Sequence, residues 1–358
     1  MFSVIFPGQG SQIVGMGKEF YDKFELVKRL FKEADETLNY SISKLILEGP
    51  KEELDLTANT QPAIFLISYS IFNVIKKEFN IDLNKAKYFA GHSLGEYSAL
   101  SCAGYLNFAE TLKILRVRGD AMQNSVPKGE GGMVAVLGST VEQIEKILEK
   151  NQDDFFVQIA NDNSEGQIVL SGSNIDLDKL IQVLKTNNIK NIKLPVSAPF
   201  HCKLMNKATK IMQNEFEKIN LLEGKNKLIS NVTAKEIINQ EELKKLLIEQ
   251  IESRVRWREI VINMISKGVD HFIEIGPGKV LSGLIKRINN KLPKEIILAT
   301  NPTLEGEATS MYLSNFIKDN YKDIKVTKLA KGLASGTDLE YSDFNTLSNA
   351  FENRTNIN

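Results

Sequence analysis

The sequence contains very little cysteine and histidine. Its 358 residues include two cysteines, Cys102 and Cys202, and three histidines, His92, His201 and His271. The cysteines form no C-x-x-C motif, so the sequence excludes a disulfide scaffold and a zinc-finger site, and it favours a reducing compartment. Because histidine is so scarce, any catalytic histidine must be one of these three.

An excess of either charge and a long apolar run are also missing. The 45 basic and 45 acidic side chains sum to zero, which gives no support for a nucleic-acid-binding or membrane-surface protein. The longest apolar stretch, Pro62 to Ile75, contains polar residues and is shorter than the roughly 20 residues of a spanning helix. The N-terminus has no basic region of the kind that opens a signal peptide. We therefore expect a soluble cytoplasmic protein. Any charged partner would have to bind a local patch of charged residues.

Short apolar runs alternate with helical patterns, and this alternation predicts an α/β fold. The predicted core strands are Phe2–Phe6, Lys87–Ala90, Ile229–Val232, His271–Ile275 and Ile296–Ala299. Predicted helices include Glu19–Thr37, Gln61–Glu78, Glu96–Ala103, Glu241–Ile251, Trp257–Ser266 and Val280–Ile288. Pro62 suits the first turn of its helix.

The middle of the chain predicts a separate unit. Strands Met133–Leu137, Phe155–Ala160, Gln167–Ser171 and Ile189–Leu194 alternate with helices Thr140–Glu149 and Ile175–Thr186. This βαββαβ order is typical of a ferredoxin-like subdomain, with residues 161–166 as a turn-rich connector. The expected segments are a core formed by 1–126 and 198–308, an inserted subdomain at 127–197 and an extension at 309–358. The extension has weak periodicity and a short helix at Met311–Phe316, and we expect it to be partly ordered.

A possible nucleophile lies between a predicted strand and a predicted helix. Gly91-His92-Ser93-Leu94-Gly95 matches the G-x-S-x-G elbow, which exposes a serine on a strained turn. The five-residue pattern alone also fits a turn without chemistry.

A serine hydroxyl needs a base, and elimination selects one histidine. The His92 side chain diverges from its neighbour on a tight elbow, and His271 begins an apolar strand as a structural residue. His201 lies where a loop enters a helix, which is an accessible place for a base. Cys202 beside it is expected to behave as a small apolar residue.

Two further positions have alternative interpretations. Gln9 lies in a glycine-rich turn, where its backbone amide could form an oxyanion hole together with the backbone amide of Leu94. The alternative is a tight turn without a catalytic role. Arg118 shares a helical segment with Lys113 and Arg116, and periodicity alone favours a solvated face for it.

Five motifs in order carry a family resemblance. They are Phe6-Pro7-Gly8-Gln9-Gly10-Ser11-Gln12, Gly91-His92-Ser93-Leu94-Gly95-Glu96-Tyr97, Arg118-Gly119 before Met122-Gln123, Ala198-Pro199-Phe200-His201 and Glu274-Ile275-Gly276-Pro277-Gly278-Lys279-Val280-Leu281. Over residues 1 to 305 the chain resembles the malonyl-CoA:acyl carrier protein transacylase family. The resemblance implies an α/β-hydrolase-like core with a mainly parallel sheet that carries a ferredoxin-like subdomain.

The resemblance also assigns the chemistry. Ser93 would carry the malonyl group as an ester, and His201 would move the protons in a ping-pong reaction. The backbone carbonyl of Gln250 would orient His201, and the amides of Gln9 and Leu94 would form the oxyanion hole. Family membership implies malonyl-CoA and acyl carrier protein as partners, a monomer, and neither a metal nor a cofactor, since phosphopantetheine belongs to the carrier.

For Arg118 the resemblance contradicts the solvated interpretation. It implies a guanidinium that holds the free malonyl carboxylate through two hydrogen bonds and selects malonyl over acetyl. It also implies that the bulk of Phe200 disfavours branched substrates.

Several alternatives and docking surfaces stay open. A polyketide acyltransferase, a serine hydrolase and a catalytically silent scaffold are the competing functions. An acidic carrier protein predicts a basic patch, formed either by Lys286 and Arg287 or by Arg254, Arg256 and Arg258, each of which also fits a solvated helix face. The role of the extension 309–358 is not predicted.

Overall fold

The computed structural model describes residues 1–196, 198–289, 295–298, 304–320 and 325–328. Its described strands form a parallel four-stranded sheet, an antiparallel four-stranded sheet and a parallel two-stranded sheet. The strands are β1 Phe2–Phe6, β2 Tyr88–Gly91, β3 Gly131–Leu137, β4 Val157–Ser164, β5 Gln167–Ser173, β6 Lys190–Lys193, β7 Lys227–Leu228, β8 His271–Glu274, β9 Glu295–Leu298 and β10 Lys325–Lys328. The helices are α1 Lys18–Lys23, α2 Glu25–Leu38, α3 Ile42–Glu48, α4 Lys51–Leu54, α5 Thr57–Lys77, α6 Leu94–Cys102, α7 Phe108–Gln123, α8 Val141–Lys150, α9 Asn174–Thr186, α10 Asn206–Glu217, α11 Gln240–Glu249, α12 Trp257–Ser266, α13 Val280–Ile288 and α14 Leu304–Asn320.

The parallel sheet has the order β7-β2-β1-β8. Ile5 of β1 pairs with Ala90 of β2 on one side and with Glu274 of β8 on the other. Because all four strands run the same way, their carboxyl ends meet at one edge of the sheet. The loops after β1, β2 and β7 therefore bring Gln9, Ser93 and Asn231 to the same edge.

Both faces of this sheet are covered by helices, so apolar side chains of the central strand β1 are buried on either side. Val4 and Phe6 of β1 contribute to the core beside α5, α6 and α7, whereas Ile5 packs on the opposite face with α12 and α13. This alternation follows from the two-residue period of a strand.

The antiparallel sheet has the order β4-β5-β3-β6, with α8 and α9 between its strands in sequence. Its apolar face packs against those helices, with Leu170 of β5, Ile144 of α8 and Leu180 of α9 all fully buried. Thr140 and Gln143 form a capping box at the start of α8. The predicted βαββαβ succession of elements is therefore present.

The predicted connector at residues 161–166 is wrong. β4 continues to Ser164, through irregular registers at Ile159/Asn161 and Asp162/Ser164. On its other side Asn161 bridges to Val255, where Val255 N donates to Ala160 O at 2.8 Å and Asp162 N donates to Val255 O at 2.9 Å. Backbone pairing from a distant segment therefore overrides the turn propensity of these polar residues.

Two helix predictions also need correction. The single helix predicted over 19–37 is in fact two helices, α1 and α2. They are separated at Phe24, whose backbone is extended. α5 begins at Thr57 rather than Gln61, so Pro62 lies in its second turn and leaves the Ala58 carbonyl without its helical partner. Arg116 Nη1 donates to that carbonyl at 3.2 Å, which satisfies it.

The predicted strands at 229–232 and 296–299 differ as well. The parallel pairing in the first region covers only β7, and Ile229 instead bridges to Glu236, so Asn231 lies in a loop. β9 pairs in parallel with β10 rather than with the four-stranded sheet, and Ala299 lies outside the described residues.

The chain divides into two compact units, residues 1–288 and 289–358. Within the second unit, the short helix predicted at 311–316 is part of the longer α14, and the predicted tail beyond residue 328 lies outside the described residues. The predicted segment boundaries stay predictions. None of the described helices is both long and apolar enough to cross a membrane.

Candidate active site

Ser93 sits on a sharp turn between β2 and α6. Its φ of 53° and ψ of −111° lie outside the regions that a serine normally occupies, and such strain persists only where the surroundings enforce it. A Cβ on Gly91 would lie 1.9 Å from the Gly95 backbone, and one on Gly95 would lie 2.2 Å from Phe6 O. Only glycine therefore allows strand, turn and helix to approach this closely.

His201 contacts the serine hydroxyl directly. Ser93 Oγ and His201 Nε2 are 2.8 Å apart, and His201 Nδ1 is 2.8 Å from the backbone oxygen of Gln250. A carbonyl oxygen can only accept a hydrogen bond, so Nδ1 carries the proton and Nε2 is free to accept from Ser93. This tautomer makes His201 a base for the hydroxyl.

The surroundings of His201 keep it neutral. Burial and, secondly, the positive charge of Arg118 lower the pKa of His201 to about 3. An unprotonated imidazole is the form that a general base requires.

Arg118 is fully buried, so the solvated face that periodicity favoured is wrong. The residue belongs to the apolar stripe of α7 with Thr111, Leu115 and Met122, which are also buried. Helical spacing places these positions on one face, and the sequence contains this signal.

The guanidinium of Arg118 points at the nucleophile. Nη2 donates to Ser93 Oγ at 3.2 Å and to Gln250 Oε1 at 2.7 Å, while Nη1 donates to Gln61 Oε1 at 2.8 Å. Its Cζ lies 5.2 Å from the centre of the Tyr97 ring, and its Nε has no partner among the described residues. These partners are neutral, so a buried positive charge with donor capacity to spare stands beside Ser93.

Gln250 joins the base to the cation. Its backbone oxygen holds His201, and its side-chain oxygen holds Arg118. The Nε2 group donates to Ser93 O at 3.1 Å and to Glu96 Oε2 at 2.5 Å. All three catalytic candidates therefore depend on the position of this buried residue.

Asn231 holds the elbow from the β7 side. Ser93 N donates to Asn231 Oδ1 at 2.7 Å, and Asn231 Nδ2 donates to Gly91 O at 2.7 Å. Asn231 N in turn faces both carboxyl oxygens of Glu96, at 3.4 and 3.3 Å. Burial raises the pKa of Glu96 to about 8, while the bonds from Gln250 and Asn231 and the charge of Arg118 oppose that rise.

The segments of the predicted oxyanion hole lie against each other. Leu94 opens α6, and N–H groups in the first turn of a helix have no intrahelical partner. A Cβ on Gly8 would lie 2.6 Å from His92 O, which shows how closely the loop of Gln9 approaches the elbow. The Gln9 side chain donates to Thr57 Oγ1 at 3.3 Å, away from the elbow.

The other candidate residues make different contacts. His92 Nε2 bonds to Asn163 Oδ1 at 2.8 Å, and His271 is exposed beside Asp270. Phe200 is buried in the main core. Cys202 is buried, its Sγ donates to Pro199 O at 3.1 Å, and burial raises the pKa of its thiol, as an unreactive residue requires.

A cleft of about 550 Å³ adjoins His201. Val157 and Ile159 of β4, with Lys203 and Ser253, form part of its lining. His201 is itself part of the lining, so the cleft reaches the base of the site.

Four residues of the site were not predicted from the sequence. They are Gln61, Glu96, Tyr97 and Asn231. Glu96 carries a usable signal, because it is the one charged residue in the sequence of α6. Asn231 carries none, since its loop was taken for a strand.

Comparisons with known proteins agree with this geometry. Residues 3–317 match the family model described as the acyl transferase domain. The malonyl CoA-acyl carrier protein transacylase of Bacillus subtilis (strain 168) is 44% identical over 303 residues, which are 84% of this chain and 94% of that protein.

Two solved structures are similar over most of the chain. The acyl-carrier-protein-S-malonyltransferase from Bartonella henselae is 39% identical with a TM-score of 0.79, over 87% of this chain and 99% of that one. A type II PKS acyl-carrier protein in complex with its malonyl-transacylase gives a TM-score of 0.77 at 31% identity, over 99% of both chains. The resemblance seen in the motifs is thus confirmed, and the chain belongs to the acyl transferase domain family.

Proposed function

We propose that this protein transfers the malonyl group from malonyl-CoA to the phosphopantetheine thiol of an acyl carrier protein, for fatty acid synthesis. One observation carries the proposal: a serine–histidine pair stands next to a buried guanidinium whose partners are all neutral. The names of its relatives support the same reaction.

In the first half-reaction Ser93 Oγ attacks the thioester carbonyl carbon of malonyl-CoA. His201 Nε2 takes the hydroxyl proton, and the backbone carbonyl of Gln250 stabilises the resulting imidazolium through Nδ1. The amides of Gln9 and Leu94 stabilise the negative charge on the former carbonyl oxygen. The carbon–sulfur bond then breaks, and His201 returns the proton to the CoA thiolate, which leaves a malonyl-serine ester.

The second half-reaction reverses these roles with a new thiol. His201 deprotonates the phosphopantetheine thiol, and the thiolate attacks the ester carbonyl. The bond from that carbon to Ser93 Oγ breaks, and His201 protonates Oγ. Bonds and protons balance among Ser93, His201 and the two thiols, so the reaction needs no metal and no cofactor of the protein.

Arg118 supplies the selectivity for malonyl. The free carboxylate of malonate is one methylene away from the reacting carbonyl, and Arg118 Nη2 already reaches Ser93 Oγ. A carboxylate accepts two hydrogen bonds from a guanidinium, whereas an acetyl methyl leaves the buried cation unpaired. Phe200, buried beside His201 in sequence, is proposed to restrict branched substrates through its bulk.

The carrier protein is proposed to dock on Lys286 and Arg287, which are exposed on α13. In the alternative cluster every arginine has an acidic partner: Arg254 pairs with Glu145, Arg256 with Glu259, and Arg258 with Asp162. Paired cations have less charge to offer an acidic partner.

The finer description of the protein is also a proposal. The βαββαβ succession with sheet order β4-β5-β3-β6 supports a ferredoxin-like subdomain, and the serine elbow after β2 supports an α/β-hydrolase-like core. We further propose a monomer in the cytoplasm.

Mass spectrometry of the protein after exposure to malonyl-CoA tests the function. We expect a malonyl adduct on Ser93 that persists until carrier protein is added. The adduct should vanish in Ser93→Ala and persist in Cys202→Ala, which serves as the matched control for a neighbouring buried nucleophile. Rapid release of free malonate without carrier would indicate a hydrolase, and a wild-type protein without an adduct would indicate a silent scaffold.

A comparison of carrier proteins distinguishes the biosynthetic role. Transfer to the carrier of fatty acid synthesis at a rate well above that to a polyketide carrier is the expected result. The reverse preference would favour the polyketide acyltransferase.

A further inference from the structure

Glu96 is a buried acid that the proposed reaction does not use. It lies in the first turn of α6, three residues after Ser93, and its exposed fraction is 1%. Burying a carboxyl group is costly unless it is hydrogen-bonded and faces positive charge. Its position therefore calls for a reason within the site.

Every described hydrogen bond to the Glu96 carboxyl group comes from a residue that also holds a catalytic residue in place. Gln250 Nε2 donates to Oε2 at 2.5 Å, and Asn231 N faces both oxygens. Gln250 in turn holds His201 and Arg118, and Asn231 holds the backbone of Ser93. One side chain thus supports both residues that position the site.

The orientation of the Gln250 amide has chemical consequences. Arg118 can only donate, so Gln250 must present its oxygen to Nη2 and its NH₂ group to the opposite side. On that side Glu96 Oε2 and Ser93 O both accept. Glu96 Oε2 accepts a hydrogen bond even when the carboxyl group carries a proton on Oε1. All three contacts therefore require the same orientation of the Gln250 amide.

We propose that Glu96 is a positioning residue that fixes the amide of Gln250, and thereby holds Arg118 in place for the malonyl carboxylate. The inference rests on the proposed function. It assigns Glu96 no contact with substrate. Without Glu96, the Gln250 amide can turn its NH₂ group toward Arg118, and the guanidinium loses an acceptor that fixes its plane.

Glu96→Gln is the direct test, because it keeps the shape of the side chain. An amide has an acceptor oxygen at one end and an NH₂ group at the other, so in either orientation its NH₂ group faces the N–H of Gln250 Nε2 or of Asn231 N. We expect kcat/KM for malonyl-CoA to fall about 10- to 100-fold, the range for losing a hydrogen bond within a charged network. The loss for acetyl-CoA should be much smaller, so the malonyl-to-acetyl ratio falls too.

Glu96→Asp is the second variant, in case the amide prevents folding. It keeps the carboxyl group but withdraws it by one methylene, and we expect the same fall in the ratio. Glu142→Gln, the same exchange in the first turn of α8 at an exposed position, is the matched control and should leave the ratio unchanged. Thermal unfolding checks that each variant is folded.

A double-mutant cycle separates positioning from general stability. In a Gln250→Ala background, Glu96→Gln should cause little further change in the ratio, because its route to Arg118 is already gone. A folded Glu96→Gln or Glu96→Asp protein with the wild-type ratio would overturn the inference while the proposed function stands. A wild-type protein that forms no malonyl adduct would remove both.

Discussion

At the scale of single residues, the environment of Arg118 predicts substrate selectivity. The guanidinium is fully buried and bonds to the neutral oxygens of Gln61, Gln250 and Ser93. Arg118→Ala should lower kcat/KM for malonyl-CoA by at least about 100-fold, because charged hydrogen bonds are lost. Acetyl-CoA has no free carboxylate, so kcat/KM for acetyl-CoA should fall less than about tenfold.

Arg116 provides the matched control for that comparison. It lies on the same helix, donates to Ala58 O and Asn59, and stacks over Tyr40, with its side chain away from Ser93. Arg116→Ala should change stability but keep the malonyl-to-acetyl ratio. Equal losses for both substrates in Arg118→Ala would contradict the assigned role.

His201 predicts a dependence of stability on pH. Its pKa is about 3 in the folded protein, mainly because of burial, against roughly 6.5 in an unfolded chain. Between these values the unfolded state binds more protons, so the contribution of His201 to stability falls as the pH drops from about 6.5 toward 3. Above pH 6.5 this contribution is constant.

Replacement of His201 should therefore flatten this part of the stability profile. We expect urea unfolding of His201→Ala to lose less stability than wild type between pH 6.5 and 4. The exposed His271 is the control, and His271→Ala should retain the wild-type slope over that range. A slope in His201→Ala equal to that of wild type would show that other groups govern this range.

Part of this site could be predicted from the sequence, and the rest could not, for physical reasons. Ser93 was predictable because a strained elbow demands glycines at fixed spacing, and His201 because only three histidines exist. Periodicity alone missed the burial of Arg118, because a cation on an apolar stripe contradicts the usual meaning of that pattern, and only the family resemblance indicated its role. Glu96 stands out in the sequence of its helix, but its role and that of Asn231 depend on contacts between residues 135 to 154 positions apart, which no local pattern reports.

At the scale of elements, the approach of β1 to α6 determines where Ser93 stands. A Cβ on Gly95 would meet both Phe6 O, at 2.2 Å, and Pro7 O, at 2.8 Å. We expect Gly95→Ala to destabilise the protein by about 3 kcal/mol, as overpacking against backbone does, and to displace the serine. Urea unfolding and the malonyl adduct assay measure the two effects.

Gly283 is the matched control, since it also lies inside a helix. Apart from its chain neighbours and its own helix backbone, no heavy atom of the described residues lies within 4 Å of a Cβ placed there. Gly283→Ala should stabilise α13 by about 0.5–1 kcal/mol through its better helix propensity. If both variants changed stability alike, close packing at the elbow would not be the cause.

Element predictions succeeded where the pattern is local. The βαββαβ succession was predicted because its apolar periods and turns lie within single segments. The end of β4 was not, since Asn161 and Asp162 favour turns and their pairing partner, Val255, is far away in sequence. The strand at 229–232 failed because parallel pairing stops at β7: Ile229 is buried in the core but bridges to Glu236 instead of continuing along β2.

At the scale of the first compact unit, β4 links the antiparallel sheet to three catalytic segments. Asn163 bonds to His92 beside the nucleophile, and Gln158 Oε1 accepts from Lys203 N at 2.7 Å, beside the base. Ala160 and Asp162 pair with Val255, five residues after Gln250. The inserted strand therefore helps to align segments that the parallel sheet alone leaves separate.

The ion pair between Asp162 and Arg258 stabilises this alignment. Asp162 is buried, and Arg258 Nε donates to its two carboxyl oxygens at 3.0 and 3.1 Å. Arg258→Met leaves the buried carboxylate without its main partner, which should cost about 3 kcal/mol. Lys193→Met, which breaks the exposed pair with Asp178, should cost less than about 0.5 kcal/mol.

Activity should follow the same order, because a misplaced Val255 segment shifts Gln250. We expect Arg258→Met to lower kcat for malonyl transfer under conditions where the protein remains folded, whereas Lys193→Met leaves kcat unchanged. Adding Asp162→Asn to Arg258→Met should recover part of the stability, since it removes the unpaired charge. Full stability but reduced kcat in Arg258→Met alone would mean that the pair aligns the site without holding the two sheets together.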